Sequence, residues 1–143
     1  TTLTAQQQSN ESLPVFSIAV VGSREWTSES DVRNTILDTI KHIRPAGHRI
    51  RIVSGGARGV DSIGAQYACD AKLIFKLHPA EWSKYGKSAG YKRNILIVKD
   101  ADIVLAFKNP GSKGTQHTID IANHQGVPCM EFAPTDFTEK GGD

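Results

Sequence analysis

Ile50-Arg51-Ile52-Val53-Ser54-Gly55-Gly56-Ala57-Arg58-Gly59-Val60-Asp61 is the stretch that decides the fold. Its first four residues are β-branched at Ile50, Ile52 and Val53, which suits a strand. Glycines follow at 55, 56 and 59, and from Val60 the chain becomes helix-compatible. A strand that runs through glycines into a helix offers unpaired N–H groups, and the positive end of the helix dipole, to an anion. Glycine lets the main chain approach a ligand where a Cβ would clash. Arg58 adds a rigid fork of donors inside the loop. Two other segments repeat the arrangement. Gly22-Ser23-Arg24 follows the apolar run Val15–Val21, and Asn109-Pro110-Gly111-Ser112-Lys113-Gly114-Thr115 follows Asp102–Phe107. One such loop is a weak signal, but three point to a phosphorylated ligand.

Working outward, Val15–Val21 is nearly continuous apolar, as a strand covered on both faces requires. Ser28, Glu29 and Asp31 suit a helix start, and Val32, Ile36, Leu37, Ile40 and Ile43 then recur at helical spacing until Pro45 and Gly47. A second strand is predicted at 49–53, a helix from Val60 to Ala71 and a third strand at Leu73–Phe75. The connection from His78 to Lys87 carries Trp82 and Tyr85 and is long for its type. The segment Ala89–Lys99 reads as a helix with Ile95, Leu96 and Val98 inward; Asp102–Phe107 reads as a strand, Thr115–His124 as a helix and Val127–Phe132 as a last strand. Alternating strands and helices predict an α/β fold: a doubly wound, mostly parallel five-stranded sheet with helices on both faces. The folded domain is expected over residues 14–133, with flexible segments at 1–13 and 134–143. All three glycine loops would leave the carboxyl ends of strands, where such sheets bind ligands.

A chain of 143 residues suits one domain. No apolar run reaches the roughly 20 residues of a membrane span, and no basic-then-apolar opening is visible. The formal charge of +2 is too small to argue for nucleic acid by itself. Cys69 and Cys129 lack metal-type spacing and sit in apolar-looking stretches, so they are expected to be buried free thiols, as suits the cytoplasm. The G-x-G-x-x-G spacing is absent from the central loop. Gly86-Lys87-Ser88 mimics the end of a P-loop, but Glu81 stands where its first glycine belongs and no strand immediately precedes it.

Taken in order, Gly22-Ser23-Arg24, Ser54–Asp61, Ala89-Gly90-x-x-Arg93-Asn94 and Gly111-x-x-Gly114-Thr115 resemble the SLOG superfamily, which includes DprA and the LOG phosphoribohydrolases. The stretch Trp82–Asn94 and the ending Gly114–Asp120 are most similar to the small YspA-like branch. The resemblance spans about residues 15–132. It implies a Rossmann-like fold and a site for nucleotides or nucleotide-derived ligands. In LOG enzymes the last loop reads Pro-Gly-Gly-x-Gly-Thr-x-x-Glu. Pro110, Gly111, Gly114 and Thr115 match it, Ser112 replaces the second glycine, and Thr118 stands in place of the catalytic Glu. A threonine does not do the work of that carboxylate, which weakens a LOG-like hydrolytic reading. Arg93 matches the family arginine. DprA carries additional domains, so DNA binding is a separate alternative.

The candidate phosphate-binding residues are therefore Gly22, Ser23, Arg24, Ser54, Gly55, Gly56, Arg58, Gly59, Arg93, Asn94, Gly111, Ser112, Gly114 and Thr115. Trp82 and Tyr85 are base-stacking candidates, the alternative for Trp82 being an aromatic that closes the loop onto the core. Asp61 is either an early-helix acid favoured by the dipole or a reader of ribose or base. If the protein is an enzyme, Arg93, Glu81 and Asp61 are its catalytic candidates, and His117 reads better as a packed or solvated helix residue. The functional expectation is binding or sensing of a nucleotide-type small molecule. Its alternatives are nucleotide or N-glycosidic hydrolysis and single-stranded DNA binding. No protein-held metal is expected, although Mg2+ is compatible with a phosphate ligand. No membrane partner is expected, and pairing into a homo-oligomer is.

Overall fold

Val15–Gly22 forms β1 at the centre of the sheet. Ile18 and Val20 point into one apolar cluster, Ala19 and Val21 into another, so both faces of the strand are covered. The structure is a computed structural model in which residues 13–138 are described. Except for Leu13, the flexible arm expected at 1–13 lies outside the described residues, as do residues 139–143.

The elements then follow in order: α1 (Glu29–His42), β2 (Arg49–Ser54), α2 (Val60–Asp70), β3 (Ile74–Leu77), α3 (Trp82–Tyr85), a 3-10 turn (Gly86–Ser88), α4 (Ala89–Asp100), β4 (Ile103–Phe107), α5 (Lys113–Gln125), β5 (Cys129–Phe132) and α6 (Thr135–Thr138). The sheet order is β3-β2-β1-β4-β5, and every neighbouring pair is parallel. The expected doubly wound sheet is thus present and wholly parallel. The cluster on one face joins Ile18, Ile52 and Leu105 to Val32 and Ile36 of α1 and to Val60 and Ala68 of α2. The opposite cluster joins Ala19, Val53 and Ala106 to Ile97 and Val98 of α4 and to Ile119 and Ala122 of α5. Gly64 lets α2 lie close on β1, because a Cβ there would stand 3.0 Å from Val20.

Several expectations need correction. Ile95 and Leu96 are about half exposed, and Ala89, Asn94, Ile97 and Val98 form the buried face of α4. At 3.6 residues per turn Ile95 lies about 200° from Ile97, so the apolar run could not all face inward. Leu37 and Ile43 of the first helical pattern are exposed too. Neither cysteine is fully buried: both are free thiols, Cys69 exposed and Cys129 half-buried. The long connection holds α3 and the 3-10 turn, so it is not an irregular loop. The tail expected from residue 134 begins as α6, whose Phe137 ring lies 6.0 Å from both Trp26 and Phe132. His78, which has no evident sequence partner, pairs with Asp100 at the end of α4.

Candidate functional site

The chain winds from β1 to β2 to β3 in one direction and then crosses to β4 on the other side of β1. The loops leaving β1 and β4 therefore open a crevice between them. Ser23 ties the two loops together: its N–H donates to Phe107 O at 2.9 Å, and its Oγ accepts from Asn109 N–H at 2.8 Å. The resulting cleft has a volume of about 440 Å³. It gathers Gly22, Ser23, Arg24, Asp61, Arg93, Asn94, Gly111, Ser112, Gly114 and Thr115 from four separate segments.

Other expected site residues fall elsewhere. Ser54 is buried behind the cleft and donates to Asp61 O at 3.2 Å. Gly59 caps α2 and packs against the Ser23–Arg24 backbone. Gly55, Gly56 and Arg58 line a neighbouring groove of about 470 Å³, together with Trp82. Glu81 and Tyr85 line neither space. Glu81 sits exposed at the start of α3, while the Tyr85 ring carries the Lys84 and Lys92 ammoniums at 5.1 and 4.8 Å from its centre.

The first turns of two helices contribute to the cleft, Gly114 and Thr115 from α5 and Asp61 from α2. The helix expected from Thr115 begins two residues earlier: α5 is capped at Ser112, and Thr115 falls in its first turn. Ser112 Oγ donates to Thr115 Oγ1 at 2.9 Å, and this leaves the first-turn N–H groups of Lys113, Gly114 and Thr115 without intrahelical acceptors. At α2 the Asp61 carboxylate reaches back and accepts from Ala57 N–H at 3.1 Å, which fixes the glycine loop. From α4, Arg93 donates through Nη1 to Gly55 O at 2.7 Å and through Nε to Asn94 Oδ1 at 3.0 Å. Asn94 in turn donates to Gly114 O at 3.4 Å, so one polar chain links the loops after β2 and β4. Gly55 must be glycine for this: its Cβ would stand 2.5 Å from Arg93 Nη1.

Burial pushes the Asp61 carboxyl from 3.8 up to about 6, against the pull of the Ala57 N–H and of Arg93 and Arg24. Burial also lowers Arg93, opposed by Asp61, but a guanidinium stays charged at any working pH. The Asp61 shift has a signed consequence for stability. Below about pH 4 the proton is bound in the folded and unfolded chains alike, and between about pH 4 and 6 the folded chain alone retains it. The stabilisation is therefore complete below the unfolded pKa and lost as pH rises through the folded one. A shift of about two units corresponds to about 3 kcal/mol. Urea unfolding of wild type and Asp61→Asn at about pH 4 and about pH 7 checks this. Wild type is expected to lose about 3 kcal/mol relative to the variant over that interval. A pH-independent difference would mean that Asp61 titrates normally.

Sequence reasoning did not place every lining residue in the site, and Glu25, Asn109 and Thr118 are the polar ones it left out. Glu25 and Asn109 directly flank the glycine loops, so adjacency to Arg24 and Pro110 was the available signal. Thr118, placed as the missing Glu, lines the cleft and donates to Gly114 O at 3.2 Å. The cleft's carboxylates are thus Asp61 and Glu25, and none comes from α5. His117 lies outside, 3.3 Å from Asn94 Nδ2 and edge-on to Tyr91, and burial lowers its pKa. Among the described residues no three His, Cys, Asp or Glu side chains gather to hold a metal ion, and no helix is long and apolar enough to cross a membrane.

Comparison with known proteins supplies a relationship. Gene 61 protein of Mycobacterium phage D29 is 36% identical over 121 residues, covering 80% of this chain and 94% of its own. The family model of the YspA, cpYpsA-related SLOG family matches residues 16–85. The chain belongs to this SLOG family. The matched residues run from β1 through α3 and so hold the Gly22 and Gly55 loops, with α4 and α5 beyond them. Among solved structures, DNA processing protein A from Helicobacter pylori, described as having a single-stranded DNA binding mode, matches with a TM-score of 0.65. It is 17% identical, with 94% of this chain and 75% of that one covered. DprA from Streptococcus pneumoniae matches with a TM-score of 0.51 at 15% identity, over 81% of this chain and 58% of that one. At such identities the likeness to the two DprA structures is one of fold.

Proposed function

We propose that this SLOG chain binds the phosphate-bearing part of a nucleotide in the cleft between β1 and β4. The observation that carries the reading is the meeting of the α5 N-terminus with Arg24 and Arg93 on one cavity at the switch in strand order. Arg93 is held rigid by Gly55 and Asn94, so its charge is presented without further ordering. Arg24 is exposed at the rim, where it can draw an anion in.

A second reading places the same cleft on single-stranded DNA. Two observations favour it: the fold likeness to the Helicobacter DprA, described as binding single-stranded DNA, and the groove beside the cleft, which exposes Arg58 and Trp82. Titration with AMP, ADP and an oligothymidylate, each at two salt concentrations, separates the readings. Strand binding weakens steeply with salt as phosphates release counterions. Arg24→Ala is expected to weaken the bound species roughly tenfold, the loss of one charge-assisted contact, without altering stability. An unchanged affinity would remove Arg24 from the site. Chromatography of each mixture tests turnover, for which the buried Asp61 and the exposed Glu25 are the carboxylates available in the cleft.

A further inference from the structure

The groove beside the cleft has a chemistry of its own. Leu77, Pro79 and the indole of Trp82 make an apolar wall, while Arg24, Arg58 and Arg93 bring three cations and no lining residue is acidic. Arg24, Ala57 and Arg93 line both spaces, so the arginines form a ridge between cleft and groove. Trp82 and Arg93 flank the same glycine. A Cβ on Gly90 would lie 3.5 Å from Trp82 Cη2 and 4.0 Å from Arg93 Nη2. The indole is about half exposed although its edge is anchored over α4. On the opposite wall Gly55 lies flush under the guanidinium, and a Cβ on Gly56 would stand 2.8 Å from Leu77 Cδ1. Side chains at either position would fill the groove from that wall. Tyr85 is no competing platform, because two ammoniums already sit over its ring.

A planar apolar group tethered to an anion fits this pairing of wall and ridge. We infer that the groove is a nucleobase pocket in which Trp82 stacks on the base of the nucleotide whose phosphate lies on Arg24 and Arg93. The inference rests on the phosphate reading of the cleft and adds the subsite that takes the base, whether the nucleotide is free or within a strand.

Ribose 5-phosphate, AMP and an oligothymidylate are the probes, with affinity and tryptophan emission as readouts. Base stacking on an aromatic predicts AMP binding roughly tenfold tighter than ribose 5-phosphate. Trp82→Ala is expected to bring AMP down to the level of ribose 5-phosphate while ribose 5-phosphate itself is unaffected. Trp82→Phe, which keeps an aromatic face, is expected to restore most of the difference. AMP is also expected to quench the emission of wild type but not of Trp82→Phe, whose remaining Trp26 is buried. Equal binding of AMP and ribose 5-phosphate would overturn the inference, as would equal losses of both in Trp82→Ala. AMP binding through Trp82 without any ribose 5-phosphate binding would overturn the cleft reading and keep the base pocket. Silence from all three probes overturns both. If the oligothymidylate alone binds, and Trp82→Ala weakens it, the base belongs to a strand.

Discussion

Gly59→Ala is expected to lose about 4 kcal/mol of folding stability, from the combined cost of a forbidden backbone conformation and of overpacking. Gly59 caps α2 with φ 79° and ψ −128°, a region that side chains avoid. Space is lacking as well: a Cβ would stand 2.7 Å from Ser23 O, 2.8 Å from Arg24 O and 2.9 Å from Arg24 Cα. These are main-chain atoms, so no rotamer change relieves them. The loop after β1 would have to move, and Ser23 would release its bonds to Phe107 and Asn109. Gly111→Ala is the control. Its φ of 80° is equally unfavourable, but nothing lies within 4 Å of the new Cβ, so only the backbone cost of about 1 kcal/mol remains. Urea unfolding of the two variants measures the difference. If Gly59→Ala cost no more than Gly111→Ala, the β1 loop would not be held against the start of α2.

That close approach of two loops explains what a linear reading recovers. The strands and their order of helices are legible because each is set by local pattern. Ile18 and Val20 alternate with Ala19 and Val21, and helical spacing resumes at Val32. The loops are legible because glycine has few other reasons to recur after apolar runs. The division of the loop after β2 between two spaces is not legible: it depends on Arg93, thirty-eight positions from Gly55, lying across the backbone. Ile95 and Leu96 mislead because an apolar run on a helix must turn one side outward. Glu81 misleads because closeness in sequence to Trp82 says nothing of direction, and its neighbours Ala80 and Trp82 line the groove while it does not. Glu25 was available from adjacency alone, and Asp61 from its place after the glycines. Its raised pKa, though, comes from burial, which one chain of letters does not display.

Arg93→Ala is expected to weaken the phosphate ligand about a hundredfold, because one substitution removes a charge and a fork of donors from a partly dry site. Three connections converge on this side chain. Nη1 holds Gly55 O, Nε holds Asn94 Oδ1, and the guanidinium lies on the ridge between cleft and groove. Removing it also frees the Gly55 loop and leaves Asn94 without its donor, which loosens the bond from Asn94 to Gly114 O in the first turn of α5. Arg93→Lys separates charge from geometry. An ammonium keeps the charge but cannot span Gly55 O and Asn94 Oδ1 with one planar group. The lysine variant is therefore expected to stay at least tenfold weaker than wild type. Arg58→Ala is the contrast, since Arg58 is exposed and lines the groove without reaching the cleft. Its effect on ribose 5-phosphate is expected to be within twofold. Calorimetric titration of the three variants, each with its unfolding curve, distinguishes lost contact from lost fold. Full affinity in a folded Arg93→Ala chain would place the anion elsewhere, for only Arg24 would remain as a cation lining the cleft.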